Sequence, residues 1–304
     1  MNEIVFEKIK TIKNELIGVE DELYQNQEFI DKQNYYNQLK TKFIRTQVLE
    51  PIRNGQRRSI IFPKETNSKY IYKNLRFPGN NFENKILSCE LEIGGSKIDK
   101  IYGSVFKILR YLYKINDDCT IPFYFCSDNN YLPIVDSDYR IIIETEIFEN
   151  LDYLLIDIYE IIDENIKLSD FLIMQLQFCG EEIIQNNKFL YENNFNHVVS
   201  HLFIECGINK INNINLKFIE KRKNIDMELN FDKKQIIEYD NHYLINLTKS
   251  IEYDDLKNYG INFSIDGQIL INFENIDSKE CKIYALSLQA VKINQFFFAL
   301  YYSK

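Results

Sequence analysis

The alternation of apolar and polar residues between positions 87 and 147 predicts a series of short β-strands. In the segment LSCELEI, one face carries Leu87, Cys89, Leu91 and Ile93, and polar side chains occupy the other face. This period of two is typical of a strand with one buried face and one wet face. The Gly94-Gly95 pair that follows predicts a turn, because residues without Cβ adopt positive φ at little cost.

After Gly103 the pattern changes from period two to the spacing of a helix. Apolar residues recur at Val105, Ile108, Leu109 and Leu112, which predicts a short amphipathic helix. Strand signals then resume at TIPFYFC and continue through YLPIVDSDYRIIIETEI. In this second stretch the odd-numbered residues from Tyr139 to Ile147 share one face. Strand, turn, helix and strands in this order suit one half of a β-sandwich.

Residues 1–46 have a different pattern, which predicts an N-terminal α-helix. Apolar residues follow a heptad spacing at Val5, Ile9, Ile12, Leu16, Val19 and Leu23. About three heptads are few for a stable coiled coil, which usually needs three to four or more. Two interpretations therefore stay open: the helix packs on the protein's own body or a neighbouring one, or it self-associates as a coiled coil.

The chain from residue 59 onward predicts an all-β fold. Its short strand signals include SIIF, YIYKNLRF, YRIIIETEI, LKFIEK, MELNF, YLINL, QILINF and CKIYALSL, and turn-forming residues separate them. This is more material than one eight-stranded jelly roll requires, but it suits two. We predict two tandem antiparallel jelly-roll β-sandwiches, over residues 48–162 and 168–304, with residues 160–170 as the connection.

The composition argues against several functional classes. The net charge of −9 disfavours a dedicated nucleic-acid-binding protein, and the basic runs RNGQRR (53–58) and KRK (221–223) are interpreted as solvated loops. The six cysteines have no CxxC or metal-ligand spacing, so we expect reduced cysteines in a cytosolic chain and no metal. The N-terminus is too charged for a secretory signal, and no apolar run has transmembrane length.

Candidate chemical groups are present but their spacing favours structural roles. His197 and His201 have the i, i+4 spacing of helical zinc ligands, although their flanks also suit a strand and no catalytic glutamate lies between them. His242 has no recognisable partner in the sequence. Carboxylates that could form a glycosidase pair occur at Asp136, Asp138, Glu238, Asp240, Asp254 and Asp255, but turn-forming Asp is the commoner use. We predict no catalytic residue, no cofactor and no enzymatic activity.

Two further features concern the second predicted sandwich. The sequons that begin at Asn246 and Asn262 are expected to lie in strands rather than to carry glycans. The aromatic segment Phe296–Tyr302 is expected to lie in the core or at an interface between copies of the chain.

A series of short motifs resembles the double jelly-roll major capsid proteins of large eukaryotic DNA viruses, and it covers most of residues 86–304 in the family's order. The motifs are Glu92-Ile93-Gly94-Gly95 with Ile98-Asp99 and Tyr102-Gly103, Ile121–Cys126, Leu132-Pro133, Tyr139–Ile143, Asp170–Ile173, Gln175–Phe178, Phe195–Val199, Leu202-Phe203, Gly260–Ser264 and Ile283–Leu286. The chain departs from the family in its shorter loops, its N-terminal helix and the absence of a glycine-rich ending.

The resemblance implies a structural virion protein. It implies a homotrimer of pseudo-hexagonal outline that contacts neighbouring trimers and minor capsid proteins, lies next to an internal viral membrane, and is assembled in the host cytoplasm. The shorter loops and the added helix keep a transient assembly scaffold or a minor capsid paralogue open as an alternative. A carbohydrate-binding jelly roll is a second alternative, which predicts an exposed aromatic platform or a pair of carboxylates in a groove.

Overall fold

The structure is a computed structural model of the 304-residue chain. It describes residues 40–52, 56–65, 69–79, 85–127, 130–134, 137–145, 151–162, 170–183, 188–192, 198–206, 210–220, 225–239, 242–247, 261–262, 267–275, 280–293 and 298–301. Strands dominate these residues, as the sequence predicts. Within them, no helix is both long enough and apolar enough to cross a membrane.

The first sandwich consists of two four-stranded antiparallel sheets. One sheet has the order β1-β8-β3-β6 and the other has the order β2-β7-β4-β5. The strands are β1 (Thr41–Leu49), β2 (Arg57–Ile61), β3 (Tyr70–Arg76), β4 (Ile86–Ile93), β5 (Ser96–Tyr102), β6 (Leu132–Pro133), β7 (Tyr139–Thr145) and β8 (Leu154–Ile161).

The pairing of these strands has the pattern of a jelly roll. β1 pairs with β8, β2 with β7, β3 with β6 and β4 with β5, so the chain forms one long antiparallel ribbon that is wound into two sheets. The β4–β5 turn is the closed end of this ribbon. It contains Gly94 (φ +58°) and Gly95 (φ +80°), which confirms the predicted glycine turn.

Apolar side chains from both sheets meet in one core. Ile60, Cys89 and Ile141 enter from the β2 sheet, and Tyr72 and Ile156 enter from the β1 sheet. A 3₁₀ turn at Gly103–Val105 leads into the helix α1 (Phe106–Leu112), which confirms the predicted amphipathic helix. The buried face of α1 closes the same core.

The second sandwich repeats this arrangement with additional strands. Its strands are β9 (Asp170–Ile183), β10 (Lys188–Glu192), β11 (Val198–Glu205), β12 (Lys210–Glu220), β13 (Ile225–Asp232), β14 (Ile236–Tyr239), β15 (His242–Asn246), β16 (Ile261–Asn262), β17 (Gly267–Asn275), β18 (Glu280–Ile293) and β19 (Phe298–Tyr301). The β10 sheet has the order β10-β17-β12-β13, and the β9 sheet contains the other seven strands.

The two sandwiches have equivalent strand orders. In the β9 sheet, β9 and β11 flank β18, and β15 and β16 pair with β11, just as β1 and β3 flank β8 and β6 pairs with β3. The order β10-β17-β12-β13 likewise corresponds to β2-β7-β4-β5. The additional strands β14 and β19 pair with β15 and β18. The chain therefore contains the same jelly-roll pattern twice.

Three predictions need correction. The N-terminal helix cannot reach residue 46, because residues 41–46 belong to β1; residues 1–39 lie outside the described part of the chain. Residues 96–102, for which the sequence pattern predicts no strand, form β5, which completes a hairpin with β4. The segment TIPFYFC is not a regular strand. It ends in a 3₁₀ turn at Tyr124–Cys126, and all seven of its residues are buried.

The basic run at 53–58 also needs correction. Arg57 and Arg58 lie in β2 rather than in a solvated loop, and the alternation of that strand turns the Arg58 side chain inward, where it is buried. Residues 53–55 and the run at 221–223 lie outside the described residues.

Candidate assembly surfaces

One face of the β9 sheet packs against the first sandwich. Phe203 in β11, Leu244 in β15, and Tyr284 and Leu286 in β18 belong to the same core cluster as the first sandwich. Their sequence neighbours Leu202, Ile204, Tyr243, Ile245, Ile283 and Ala285 point the other way, into the core of the second sandwich. Both faces of these strands are therefore apolar, which is why their sequences lack a clear alternation.

Hydrogen bonds and aromatic contacts reinforce this junction. The Tyr284 hydroxyl donates to a carboxylate oxygen of Glu205 at 3.1 Å and lies 3.3 Å from the hydroxyl of Ser104 in the first sandwich. The rings of Tyr284 and Tyr102 are 5.7 Å apart. Burial raises the pKa of Tyr284, and nearby Glu205 raises it further. The phenol therefore stays neutral and acts as a donor at this polar contact.

A second aromatic contact joins the sandwiches at the surface. Tyr111 of α1 and Tyr239 of β14 stack with their centroids 4.7 Å apart and their planes 24° apart. Tyr239 is one of the half-buried residues that pack on the first core. The extra strand β14 therefore contributes to the contact between the two sandwiches.

The predicted histidine pair does not form a helical metal site. His201 lies within β11, which is a strand, and His197 lies outside the described residues. His201 and His242 are both buried, and burial lowers the pKa of His201 to about 4, so its ring is neutral at neutral pH. The Nδ1 atom of His201 is 3.1 Å from the hydroxyl oxygen of Ser200. Among the described residues, no group of three or more His, Cys, Asp or Glu is arranged to hold a metal ion.

Of the carboxylates considered for catalysis, the described residues include Asp138, just before β7 of the first sandwich, and Glu238, in β14 of the second. Asp138 forms an exposed ion pair with Lys64 at 2.9 Å, and Glu238 is exposed on β14. Asp136, Asp240, Asp254 and Asp255 lie outside the described residues. The carbohydrate-binding alternative also predicts an exposed aromatic platform. The exposed aromatic residues Phe43 and Tyr111 lie on separate elements, β1 and α1.

The sequons and the aromatic tail are partly described. Asn246 lies in β15 and Asn262 in β16, as predicted. In the tail, Phe298–Tyr301 forms β19, which pairs with Ala290–Ile293 of β18. The side chains of this tail lie outside the described residues, so its expected burial in a core or an interface stays a prediction.

Among the residues that the structure describes, four of the eight exposed large apolar side chains lie on or next to β1 and β2, which are edge strands of their sheets. The exposed fraction is 51% for Phe43, 48% for Val48, 57% for Ile52 and 39% for Ile61. The amide of Ile52 donates to the carbonyl of Ser59 at 2.9 Å, which places the segment after β1 beside β2. We call Phe43, Val48, Ile52 and Ile61 the assembly edge.

The fold of the chain is similar to that of solved protein structures. VP54 of PBCV-1, in a structure fitted into a reconstruction of the virophage Sputnik, matches with a TM-score of 0.59 and 14% identity over 87% of this chain and 98% of that chain. The fold is that of the double jelly-roll major capsid proteins. The Faustovirus major capsid protein has a TM-score of 0.55 and 7% identity, over 84% of this chain and 91% of its own.

A capsid protein from a bacterial virus also has this double jelly-roll fold. The major capsid protein P2 of bacteriophage PM2 matches with a TM-score of 0.53 and 11% identity, over 80% of this chain and 97% of its own. No protein-family model matches the sequence, and no curated protein matches it either. The double jelly roll is therefore detected through the three-dimensional fold rather than through overall sequence identity.

Sequence reasoning missed the assembly edge and the junction between the sandwiches. The edge depends on which strands end a sheet, and a single sequence does not give the strand order. The junction had a detectable signal, because strands that are apolar at consecutive positions, such as HLFIEC and KIYALSL, are typical of sheets buried on both faces.

Proposed function

We propose that this chain is a capsid shell subunit that assembles as a homotrimer of pseudo-hexagonal outline. The observation that carries the proposal is the repetition of one jelly-roll pattern in two sandwiches that share a buried junction. Two similar sandwiches per chain give six similar units around a threefold axis, and six such units suit a hexagonal lattice. The likeness to viral major capsid proteins supports this role.

The division of the chain follows the same reasoning. We propose one jelly roll within residues 48–162 and another within residues 168–304, joined by the segment around 163–169. The sheets support this division, since β1–β8 lie within 41–161 and β9–β19 within 170–301. β1 extends the first unit back to Thr41.

The assembly edge is the surface that we assign to contact between copies of the chain. Phe43, Val48, Ile52 and Ile61 expose large apolar side chains on a protein of net charge −9, which otherwise favours dispersed molecules. Burial of these side chains against another copy removes apolar surface from water and so drives association. The trimers assemble in the host cytoplasm. In the virion each trimer contacts neighbouring trimers, minor capsid proteins and an internal membrane.

The molecular mass in solution tests the trimer. One chain has a mass of 36.4 kDa, so three chains give 3 × 36.4, about 109 kDa, by light scattering after gel filtration. Negative-stain images of this species should have hexagonal outlines. A single 36.4 kDa species at micromolar concentration would argue strongly against the proposal.

Variants of the assembly edge connect the trimer to named residues. Val48→Asp together with Ile52→Asp should weaken the trimer at least tenfold, because each change places a charge where apolar surface is buried. Ile237→Asp is the matched control, since Ile237 is 42% exposed but lies on β14, away from this edge. Equal loss of the trimer in both variants would remove the assembly edge from the proposal.

A transient scaffold or minor shell component is the alternative, and two short connections between strands favour it. Only Gly94 and Gly95 separate β4 from β5, and residues 233–235 separate β13 from β14. Such connections provide little material for the outer loops that the resemblance to major capsid proteins implies. The amount of this chain in purified mature particles, relative to the most abundant shell protein, distinguishes the alternatives.

A further inference from the structure

Two cysteines face each other at one end of the second sandwich. β11 and β18 are antiparallel, and their last aligned pair is Glu205 with Lys282. Cys206 follows Glu205 and Cys281 precedes Lys282. One further step along the same alignment therefore places Cys206 opposite Cys281, although 75 positions separate them in the sequence (281 − 206).

The two thiols also point in the same direction. Ile204 and Ile283 are aligned across β11 and β18, and both belong to the core of the second sandwich. Side chains two residues further along each strand return to the same face, and Cys206 and Cys281 are indeed buried in that core. Directly opposed residues have Cβ atoms about 4.5–5.5 Å apart, and a disulfide needs about 3.5–4.5 Å. Cys206 lies just after the end of β11, so a small shift of its backbone can bring its Cβ atom close enough to that of Cys281 for a disulfide.

Burial makes the thiols of Cys206 and Cys281 unreactive in the folded protein. Burial raises the pKa of Cys206 to about 12, and the charges of Glu205 and Glu238 act in the same direction. Burial also raises the pKa of Cys281, and nearby Cys206 and Glu205 raise it further. Since the thiolate is the attacking species, reaction requires opening of this strand end or must occur before the fold closes.

We propose that Cys206 and Cys281 form a redox-responsive pair, which a small-molecule disulfide such as oxidised glutathione converts into an intrachain disulfide. The thiolate of one cysteine attacks a sulfur of oxidised glutathione, forms a mixed disulfide and releases one glutathione thiolate. The second cysteine then attacks the protein sulfur of the mixed disulfide and releases the other. Two protein thiols are oxidised, one glutathione disulfide is reduced, and both protons end on glutathione.

The disulfide would fix the last long strand of the chain. It joins β11 to β18 and closes a loop that contains β12 to β17. A long closed loop restricts the unfolded chain strongly, so the cross-link stabilises the second sandwich after it has formed. A reducing cytosol keeps the pair as thiols, and an oxidising environment locks it. This inference does not depend on the proposed capsid role.

Peptide mapping of the full chain tests the proposal. The chain is refolded from urea in a glutathione redox buffer, so that burial does not limit access, and is then digested with trypsin without reduction. Trypsin should release two peptides that contain one cysteine each: residues 280–282 with Cys281, and residues 189–210 with Cys206. We expect these peptides to be linked, and we expect titratable thiols to fall from six to four, since the link consumes two. The melting temperature should rise by roughly 5–10 °C.

Three variants serve as controls. Cys206→Ala and Cys281→Ala should each abolish the linked peptide and the rise in melting temperature, whereas Cys126→Ala, at a buried cysteine of the first sandwich, should retain both. Six titratable thiols in wild-type protein after oxidative refolding, or a link between other cysteines, would overturn the proposal. If the alanine variants do not fold, the wild-type peptide map alone decides.

Discussion

At the scale of single residues, Asp157 joins three strands of the first sandwich. Ile156 and Ile158 point into the core, so Asp157 lies on the opposite face of the β1 sheet, yet it is buried. Its Oδ1 atom accepts hydrogen bonds from Thr46 Oγ1 at 2.7 Å and Arg76 Nη2 at 2.6 Å. Its Oδ2 atom accepts one from Asn74 Nδ2 at 3.0 Å.

We predict that Asp157→Asn lowers the free energy of unfolding by about 2 kcal/mol. The amide has no charge to balance Arg76, and it offers one acceptor oxygen where the carboxylate offers two. Urea denaturation measures the change. Asp152→Asn makes the same replacement at an exposed position of the same sandwich and should alter stability by less than about 0.5 kcal/mol. Equal effects of the two changes would contradict a structural role for Asp157.

His201 makes stability depend on pH. Its pKa is about 4 in the folded chain and about 6.5 when unfolded, so the unfolded chain binds more protons between these values. The contribution of His201 to stability should therefore be constant above about pH 6.5 and fall by up to about 3 kcal/mol as the pH drops toward 4. The measurement is the difference in unfolding free energy between wild type and His201→Gln across this range. All other groups are the same in the two proteins, so a difference that does not vary with pH would refute the assignment.

At the scale of elements, the sequence predicted the positions of many strands better than the directions of their side chains. In β4 the pattern predicted Leu87 on the buried face, but Leu87 is 41% exposed and Ile86 is buried. The cause is an irregularity in the pairing with β7 between Ile86 and Ser88, which leaves Leu87 as an extra residue. Such a bulge is set by the partner strand, and a single segment cannot predict it.

The β4–β5 turn gives a prediction for one glycine. Gly95 has φ +80°, and an added Cβ would meet no atom within 4 Å. Gly95→Ala should therefore cost about 1–2 kcal/mol, entirely from the left-handed backbone conformation. Gly79→Ala is the matched control, because Gly79 has equal space and no positive φ, so its change should be neutral or slightly stabilising. Thermal unfolding compares the two variants, and similar melting temperatures would contradict this account.

The segment TIPFYFC shows why some elements were not predictable. Its apolar residues suggested a strand, but the rings of Phe123 and Phe125 stack 5.7 Å apart, and the amide of Leu75 donates to the Cys126 sulfur at 3.4 Å. The contact with Leu75 comes from β3, which is about 50 positions away in the sequence. Burial of the segment was predictable from its composition; its 3₁₀ geometry was not.

At the scale of the whole molecule, the two sandwiches share a core. Phe203 belongs to the second sandwich but packs in the cluster of the first. We expect the wild-type chain to unfold in one cooperative transition, and Phe203→Ala to lower stability by about 3–4 kcal/mol. Differential scanning calorimetry measures both.

A phenylalanine outside the junction provides the control for Phe203→Ala in calorimetry. Phe43 is about half exposed on β1, so Phe43→Ala should change the stability of the isolated chain far less than Phe203→Ala. Two separate transitions in the wild-type chain would show that the junction does not couple the sandwiches.

The sequence predicted the repeated sandwich architecture more successfully than the candidate assembly surfaces. Strand signals and short motifs, such as those around Gly94-Gly95 and Tyr102-Gly103, depend on local patterns that a single sequence contains. The assembly edge depends on the positions of β1 and β2 in their sheets, and the junction depends on how two sandwiches pack. Both arise from long-range pairing, such as that of Thr41 with Ile161.

The pairing of first with last strands has a consequence for synthesis on the ribosome. β8 completes the first sandwich while much of the chain is still to be translated, so this half can fold early on the nascent chain. β9 must wait for β18, whose residues 280–292 pair with it in the opposite direction. A prematurely terminated product therefore leaves β9 with an open edge that invites aggregation or degradation.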